Sequence, residues 1–415
     1  MSSFDLMKRL SQKTETRIVL IVADGLGGLP RDAARPLTEL ETARTPHLDA
    51  LAARSVCGLV DPVAPGVTPG SGPAHLGLFG YDPVAFDLGR GILSAYGIRC
   101  YRDEEPLTPR NVAARLNFAT IRDGKIADRR AGRIPDDVGK RLVEKLAARI
   151  KTIGGVKVAV EHEKEYRGAL ILDAAGLSGR VVDTDPEQEG KAPIAPAPVP
   201  GLRGKELEAA KKTAAVVAKF VAQAREVLKD EHPANFVLLR GFDKYHPLPT
   251  FQEVYKLNPA AIATYPMYRG AGRLLGMKVL RTGTTVADEA ATLRENWANH
   301  DFFFFHVKKT DSYGEDGNFD AKVGVIEELD AAIPAILDLK PDAIAVTGDH
   351  STPSVLRAHS WHPLPVLLWS EFCRPDDVRA FGERACVQGG LGRIPATDLM
   401  PLLLANARKL AKYGA

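Results

Sequence analysis

The sequence contains no run approaching the eighteen or so apolar residues that a membrane-crossing helix needs. Its N-terminus is polar and charged and lacks the apolar core of a secretory signal. Cysteine is scarce: Cys57, Cys100, Cys373 and Cys386 stand alone, none in a CxxC or zinc-type spacing. They read as reduced thiols, and a cytoplasmic protein is expected. A large charge excess is also missing. The 55 basic and 52 acidic side chains leave a net charge of +3, which argues against a polyanion-coating protein. No nucleic-acid or membrane partner is expected, although a local basic pocket is compatible with these numbers. No internal repeat is present, and low complexity is confined to a proline-rich stretch over 185–201.

What remains is an ordinary globular composition, 45% hydrophobic and 26% charged, in 415 residues. That length allows two or three domains, each with a sizeable core. The run Arg17 to Ala23 is almost wholly apolar and predicts a strand buried on both faces, as in parallel sheets. It ends in Asp24-Gly25, at the kind of strand end where open α/β sheets place ligands. Val56 to Val60 predicts a second strand. It leads to Thr68-Pro69-Gly70-Ser71-Gly72-Pro73-Ala74-His75, a hydroxyl between two glycines ahead of an expected helix over 74–79. Glycines permit close backbone approach, and a helix start favours an anion. A glycine-rich helix start without chemistry is the competing reading. His75 is expected to point away from the serine's face.

From Gly89-Arg90-Gly91, which reads as a hinge, the texture changes. Strand-like runs (117–121, 156–160, 169–172 and 235–239) alternate with helical patterns (136–150 and 206–228). Arg122 to Lys125 reads as a hairpin turn. Asp128 to Arg133 carries three arginines, by itself as consistent with a solvated charge run as with a binding site. We therefore expect a core domain over 1–89 and 261–415, interrupted by a smaller α+β domain over 90–260. The α/β texture resumes with Phe302 to Val307.

Three late segments set ligand-type residues beside apolar runs: Asp311 to Glu315, Gly348 to Pro353, and Ala358 to His362. With Asp24 and Ser71 they could converge on one sheet edge. Phosphoryl transfer to a serine needs an acidified hydroxyl and a neutralised phosphate, and two divalent cations about 4 Å apart supply both. Carboxylates mixed with histidine suit Mn²⁺, Zn²⁺ or Co²⁺. For each segment alone, a capping Asp or a packed His is the competing explanation.

On these residues the chain resembles the cofactor-independent phosphoglycerate mutases of the archaeal type, within the alkaline phosphatase superfamily. The resemblance rests on the strand into Asp24-Gly25, the Ser71 loop, Asp128 to Ile134 and Asp183-Thr184-Asp185-Pro186. It continues through Lys309-Thr310-Asp311, Asp316 to Phe319, Gly348 to Pro353 and His359-Ser360, and so runs from about Arg17 to Asn406. It implies an alkaline-phosphatase-like doubly wound sheet with an inserted α+β domain. It also implies interconversion of 3-phosphoglycerate and 2-phosphoglycerate without 2,3-bisphosphoglycerate. Ser71 would receive the phosphoryl group. Asp24, Asp349 and His350, with Ser71, would hold one cation; Asp311, Glu315 and His359 would hold the other. Arg130, Arg133, Arg167 and Arg240 would grip the phosphoglycerate, and Asp128 would act as general base. Glu315 departs from the family, which often has histidine four residues after the aspartate; a carboxylate there shifts preference towards Mn²⁺ or Mg²⁺. The alternative is a metal-dependent phosphomonoesterase, or a mutase of another phosphorylated metabolite.

Overall fold

Strands that are apolar at every position must be covered on both faces, and these chain segments become the centre of a sheet. The structure, a computed structural model, describes residues 3–86, 89–101 and 107–414. The chain divides into two compact units, Met1–Asp87 with Leu248–Ala415, and Leu88–Pro247. No helix among the described residues is long and apolar enough to cross a membrane.

The first unit is built on an eight-stranded sheet. Its order is Lys278–Val279, Pro259–Ala263, Phe302–Val307, Ile18–Ala23, Ala343–Thr347, Leu364–Ser370, Val56–Asp61, Gly392–Pro395. Leu364–Ser370 pairs antiparallel with both neighbours, while the other pairings are parallel. Ile18–Ala23, Phe302–Val307 and Ala343–Thr347 are buried throughout. Side chains alternate between faces along a strand. Phe303 and Phe305 accordingly share a core with Leu329, Ile333 and Ile336 of the helix Phe319–Leu337. Phe304 and His306 face the other way, towards Phe79, Tyr268 and His75. Each such phenylalanine contributes roughly 1.5–3 kcal/mol of burial.

The second break falls at Pro247, ahead of the expected 260. The segment from Leu248 packs with the first unit: Tyr255 donates to the Phe79 carbonyl at 2.8 Å, and Tyr81 to that of Pro249 at 2.7 Å. Its last residues then start the strand Pro259–Ala263.

The second unit has an all-antiparallel sheet around the long strand Asn111–Arg122, flanked by Arg167–Asp173 and Phe236–Lys244. The hairpin at Asp123-Gly124 has positive φ at both residues, 48° and 74°. One sheet face, with Leu116, Phe118 and Leu170, is covered by the helices Asp136–Arg149 and Gly204–Leu228. The other face is mixed: Arg115 lies opposite Arg240 and Asn117 opposite Arg167, while Ala119, Ile126, Phe236 and Leu238 form a small buried cluster.

One core group carries a measurable signature. Glu289, on the helix Val286–Asn296, is 2% exposed, and its Oε1 has no hydrogen-bond partner. Burial first, and Asp288 second, push its carboxyl up to about 9. An acid raised above its unfolded value of about 4.5 contributes stability fully below that pH and loses it as pH climbs towards 9. We expect Glu289→Gln to flatten the fall in unfolding free energy across that window by up to about 1.4 kcal/mol per pH unit. Urea melts at stepped pH check this; parallel curves for both proteins would refute it.

Candidate functional site

In a parallel sheet the carboxyl ends of the strands share one edge, and here three of them deliver acids to it. Ile18–Ala23 runs into Asp24, Ala343–Thr347 into Asp349 and His350, and Phe302–Val307 into the helix Lys309–Asp316 that carries Asp311. The reversed strand Leu364–Ser370 begins at this edge instead of ending there. That is why His359 precedes its strand in sequence and still reaches the group. Among the described residues two clusters bring ligand atoms within 4.8 Å of one another: Asp24, Asp349, His350, and Asp311, His350, His359.

Ser71 lies beside them, its Oγ 3.2 Å from His350 Nε2. The helix starts at Ser71 rather than at 74 and runs Ser71–Leu78, so the hydroxyl sits in its first turn. This corrects the expectation for His75. One turn after Ser71, it shares the serine's face, with Nδ1 2.8 Å from the Ser71 carbonyl and 3.3 Å from Asp349 Oδ2. His350 Nε2 is also 3.3 Å from Asp24 Oδ1 and 3.1 Å from Asp349 Oδ2. His359 donates from Nδ1 to the Pro69 carbonyl at 2.9 Å, since a carbonyl only accepts, which turns Nε2 towards Asp311 Oδ1 at 3.6 Å. The two imidazoles stack, centroids 3.6 Å apart.

The electrostatics are those of crowded acid. Burial, then Asp24, pushes Asp349 well above the usual carboxylate range. Burial alone would raise Asp311, but the neighbouring basic groups, Lys308 first among them, outweigh it and hold that carboxyl low. Burial drops His350 to about 3 and His75 to about 4, so both imidazoles are neutral near pH 7. Asp24 Oδ1 and Asp349 Oδ2 are buried without a hydrogen bond, and Asp24 Oδ2 faces the ammonium of Lys308. Buried carboxylate oxygens ordinarily find donors. A set of such oxygens with imidazole nitrogens and a hydroxyl fits divalent cations.

Glu315 is not brought together with the others. It lies one turn beyond Asp311 on the same helix, but it is exposed and joins neither cluster.

Several participants were not anticipated. Lys308 Nζ lies 2.9 Å from Asp24 Oδ2 and 2.5 Å from Asp311 Oδ2. Burial opposes its charge, but those two acids raise its pKa above the ordinary lysine value. Thr310 donates to the Asp24 carbonyl at 2.5 Å. Tyr268 stacks on His306 at 3.8 Å, and His306 Nε2 is 3.7 Å from Asp24 Oδ2. Position alone could have marked Lys308, three residues ahead of Asp311 at the end of a buried strand.

In the second unit, Asp128 accepts from the backbone N–H groups of Arg130 at 2.7 Å and Gly132 at 2.6 Å. Arg130 and Arg133 are exposed on that turn. Arg167 stacks over Tyr166, and Arg240 is paired with Glu187 and, at 3.6 Å, with Asp185. Arg129 holds Asp185 with both arms of its guanidinium, at 2.9 and 2.7 Å.

The profile of a family described as "2,3-bisphosphoglycerate-independent phosphoglycerate mutase" matches residues 52–235. A Thermus thermophilus protein named "Probable 2,3-bisphosphoglycerate-independent phosphoglycerate mutase" is 50% identical, covering 100% of both chains. A Thermotoga neapolitana protein of the same name is 49% identical over 99% of this chain and 98% of its own. Among solved structures, a Pyrococcus horikoshii protein superposes with a TM-score of 0.80 at 30% identity, covering 98% of this chain and 100% of its own. The cofactor-independent phosphoglycerate mutase of Thermoplasma acidophilum gives a TM-score of 0.68 at 29% identity, covering 94% and 100%. With relatives this similar from end to end, the chain belongs to the 2,3-bisphosphoglycerate-independent phosphoglycerate mutase family, whose members are isomerases.

Proposed function

We propose that this chain interconverts 3-phosphoglycerate and 2-phosphoglycerate, with Ser71 as the transient carrier of the phosphoryl group. The observation that carries the proposal is the approach of Ser71 Oγ to His350 Nε2 beside buried carboxylate oxygens that lack hydrogen bonds. Asp24, Asp349, His350 and Ser71 would hold one divalent cation, and Asp311 and His359 the other. When bound, such a pair acidifies the serine hydroxyl and neutralises phosphate charge. Mn²⁺ suits the mixed carboxylate and imidazole donors, with Mg²⁺, Zn²⁺ and Co²⁺ as alternatives. A cytoplasmic setting fits the four free cysteines.

The chemistry then falls to the chain's own groups. Ser71 Oγ attacks phosphorus, and the bond from phosphorus to the glycerate oxygen breaks. The glycerate is retained, its other hydroxyl attacks phospho-Ser71, and the serine oxygen leaves. The proton of the attacking hydroxyl must go to a base, and the oxygen freed first must receive one. We assign that exchange to Asp128: its two oxygens each accept one backbone N–H and keep a lone-pair direction. Lys308, between Asp24 and Asp311, adds positive charge where the phosphoryl group would lie. Arg130, Arg133, Arg167 and Arg240 would take the substrate's carboxylate and phosphate, for which the guanidinium fork is suited.

Four outcomes are expected. With Mn²⁺ and an enolase-coupled assay, 3-phosphoglycerate yields 2-phosphoglycerate without free phosphate; phosphate release alone would make the chain a phosphomonoesterase. Ser71→Ala lowers kcat by at least about a thousandfold, and full activity in that variant removes the nucleophile assignment. Metal analysis finds two Mn²⁺ per chain in the wild type and one in Asp311→Asn. Glu315→Ala keeps two, because that carboxylate stands outside both clusters; a drop to one would return Glu315 to the ligand set. Arg167→Ala and Arg240→Ala raise KM roughly ten- to a hundredfold, the worth of one charge-assisted hydrogen bond, at unchanged metal content. Unchanged KM in steady-state assays would count against the arginine assignment.

A further inference from the structure

The two ligand clusters share His350, and they are also bridged by a hydroxyl. Thr352 Oγ1 lies 2.8 Å from Asp311 Oδ1 and 2.9 Å from His350 Nδ1. An ionised carboxylate only accepts, so the single hydroxyl proton of Thr352 is committed to Asp311. His350 Nδ1 must therefore be the donor to the threonine oxygen. That choice places the imidazole proton on Nδ1 and leaves the lone pair on Nε2. Nε2 is the atom facing Ser71 Oγ, Asp24 and Asp349. One hydroxyl thus sets the tautomer of a ligand in one cluster and the orientation of a carboxylate in the other.

Thr352 is fixed in its turn. It is fully buried, and its N–H donates to the Gly27 carbonyl at 3.0 Å. Its carbonyl accepts from Lys322 Nζ at 2.9 Å, and the same ammonium donates to the Gly27 carbonyl at 3.0 Å. Lys322 is itself fully buried, on the helix Phe319–Leu337. It pins together the loop after Asp24 and the loop after His350. The packing allows no slack at this point. A Cβ on Gly25 would come within 2.6 Å of Thr352 Oγ1 and 2.9 Å of Asp311 Cα, and Gly25 has a φ of +65°. Hydrogen bonds to metal-ligand residues of this kind are typically worth roughly 10–100-fold in metal affinity.

We propose that Thr352 is a positioning residue that couples the two cation sites, holding His350 and Asp311 in register through one hydroxyl, with Lys322 anchoring the loop that carries it. The inference rests on the two-cation reading above. A residue that only filled space would be replaced by valine, its near-isostere, without cost to metal binding.

The test is calorimetric titration of Mn²⁺ into the metal-stripped full-length protein. Wild type is expected to bind two ions per chain. Thr352→Val is expected to bind two as well, with both affinities lowered roughly 10–100-fold. Thr352→Ser, which restores the hydroxyl, should recover most of the loss. Asp311→Asn, by contrast, should lose one ion outright. If the valine variant does not fold, Thr352→Ala is titrated in its place and read the same way. Wild-type affinity at both sites, weakening of one site only, or a serine variant no better than valine would each overturn the coupling role. Fewer than two ions in the wild type would instead overturn the two-cation reading, and this inference with it.

Discussion

Burying carboxylates side by side is costly, because each loses its water and each raises the energy of the next. Asp24, Asp311 and Asp349 accept that cost at the end of one sheet, all of them under 4% exposed. Lys308 offsets it with a full positive charge in direct contact, shared between Asp24 and Asp311. His350 and His75 do not help, since burial keeps both neutral at ordinary pH. The site therefore retains an excess of negative charge that cations would relieve. The neutral imidazoles are left as nitrogen donors, the form in which histidine coordinates.

That arrangement follows from strand direction. Parallel strands put their carboxyl ends together, and apolar runs such as Ile18–Ala23 leave no polar residue until the edge is reached. Each run then spends its first polar positions on the site. The reversal of Leu364–Ser370 lets a segment that precedes a strand join the same edge, adding His359 without another crossover. His359 in turn holds the Pro69 carbonyl, two residues before Ser71, so the loop carrying the hydroxyl is tied to one of the clusters it serves.

Much of this was legible in the residues. Asp24, Asp349 and His350 follow continuous apolar runs, and a run of that kind has few places to go other than a doubly covered strand. The residues that support them were harder to read. Lys322 sits in a helical pattern among Asp320, Glu327 and Glu328, where a lysine ordinarily reads as part of a solvated face; only the tertiary contact to two carbonyls reveals otherwise. Thr352 looks like a turn residue. A helix beginning at 74 leaves His75 off the serine's face, whereas the helix that begins at Ser71 puts His75 one turn on, on that face. Glu315 stands at a helical spacing from Asp311 that permits a shared ligand face, but spacing does not specify a rotamer, and its carboxylate remains exposed. The unit boundary at Pro247 was hidden because Phe251 and Tyr255 find their partners, Phe79 and Tyr81, far back in sequence.

The arginine-rich turn of the second unit shows how a charge run divides its labour. Arg129 is committed to Asp185, which is almost fully buried, and so fixes where the turn sits. Asp128 uses both oxygens on the N–H groups of Arg130 and Gly132, and so fixes its shape. That shape is strained: Ala131, Gly132 and Arg133 all have positive φ, between 48° and 64°. For the two residues with side chains, this costs on the order of 1–2 kcal/mol each. Strain of this kind persists only where the surroundings over-determine the backbone, and it gathers at functional sites. Here the local bonds from Asp128 and Arg129 do the determining. Arg130 and Arg133 are then presented on a turn whose ordering cost has been met before any anion arrives, which is the condition for gripping a small substrate tightly. A solvated charge run would need none of this bracing, which is why the proposal gives Arg130 and Arg133 to the substrate.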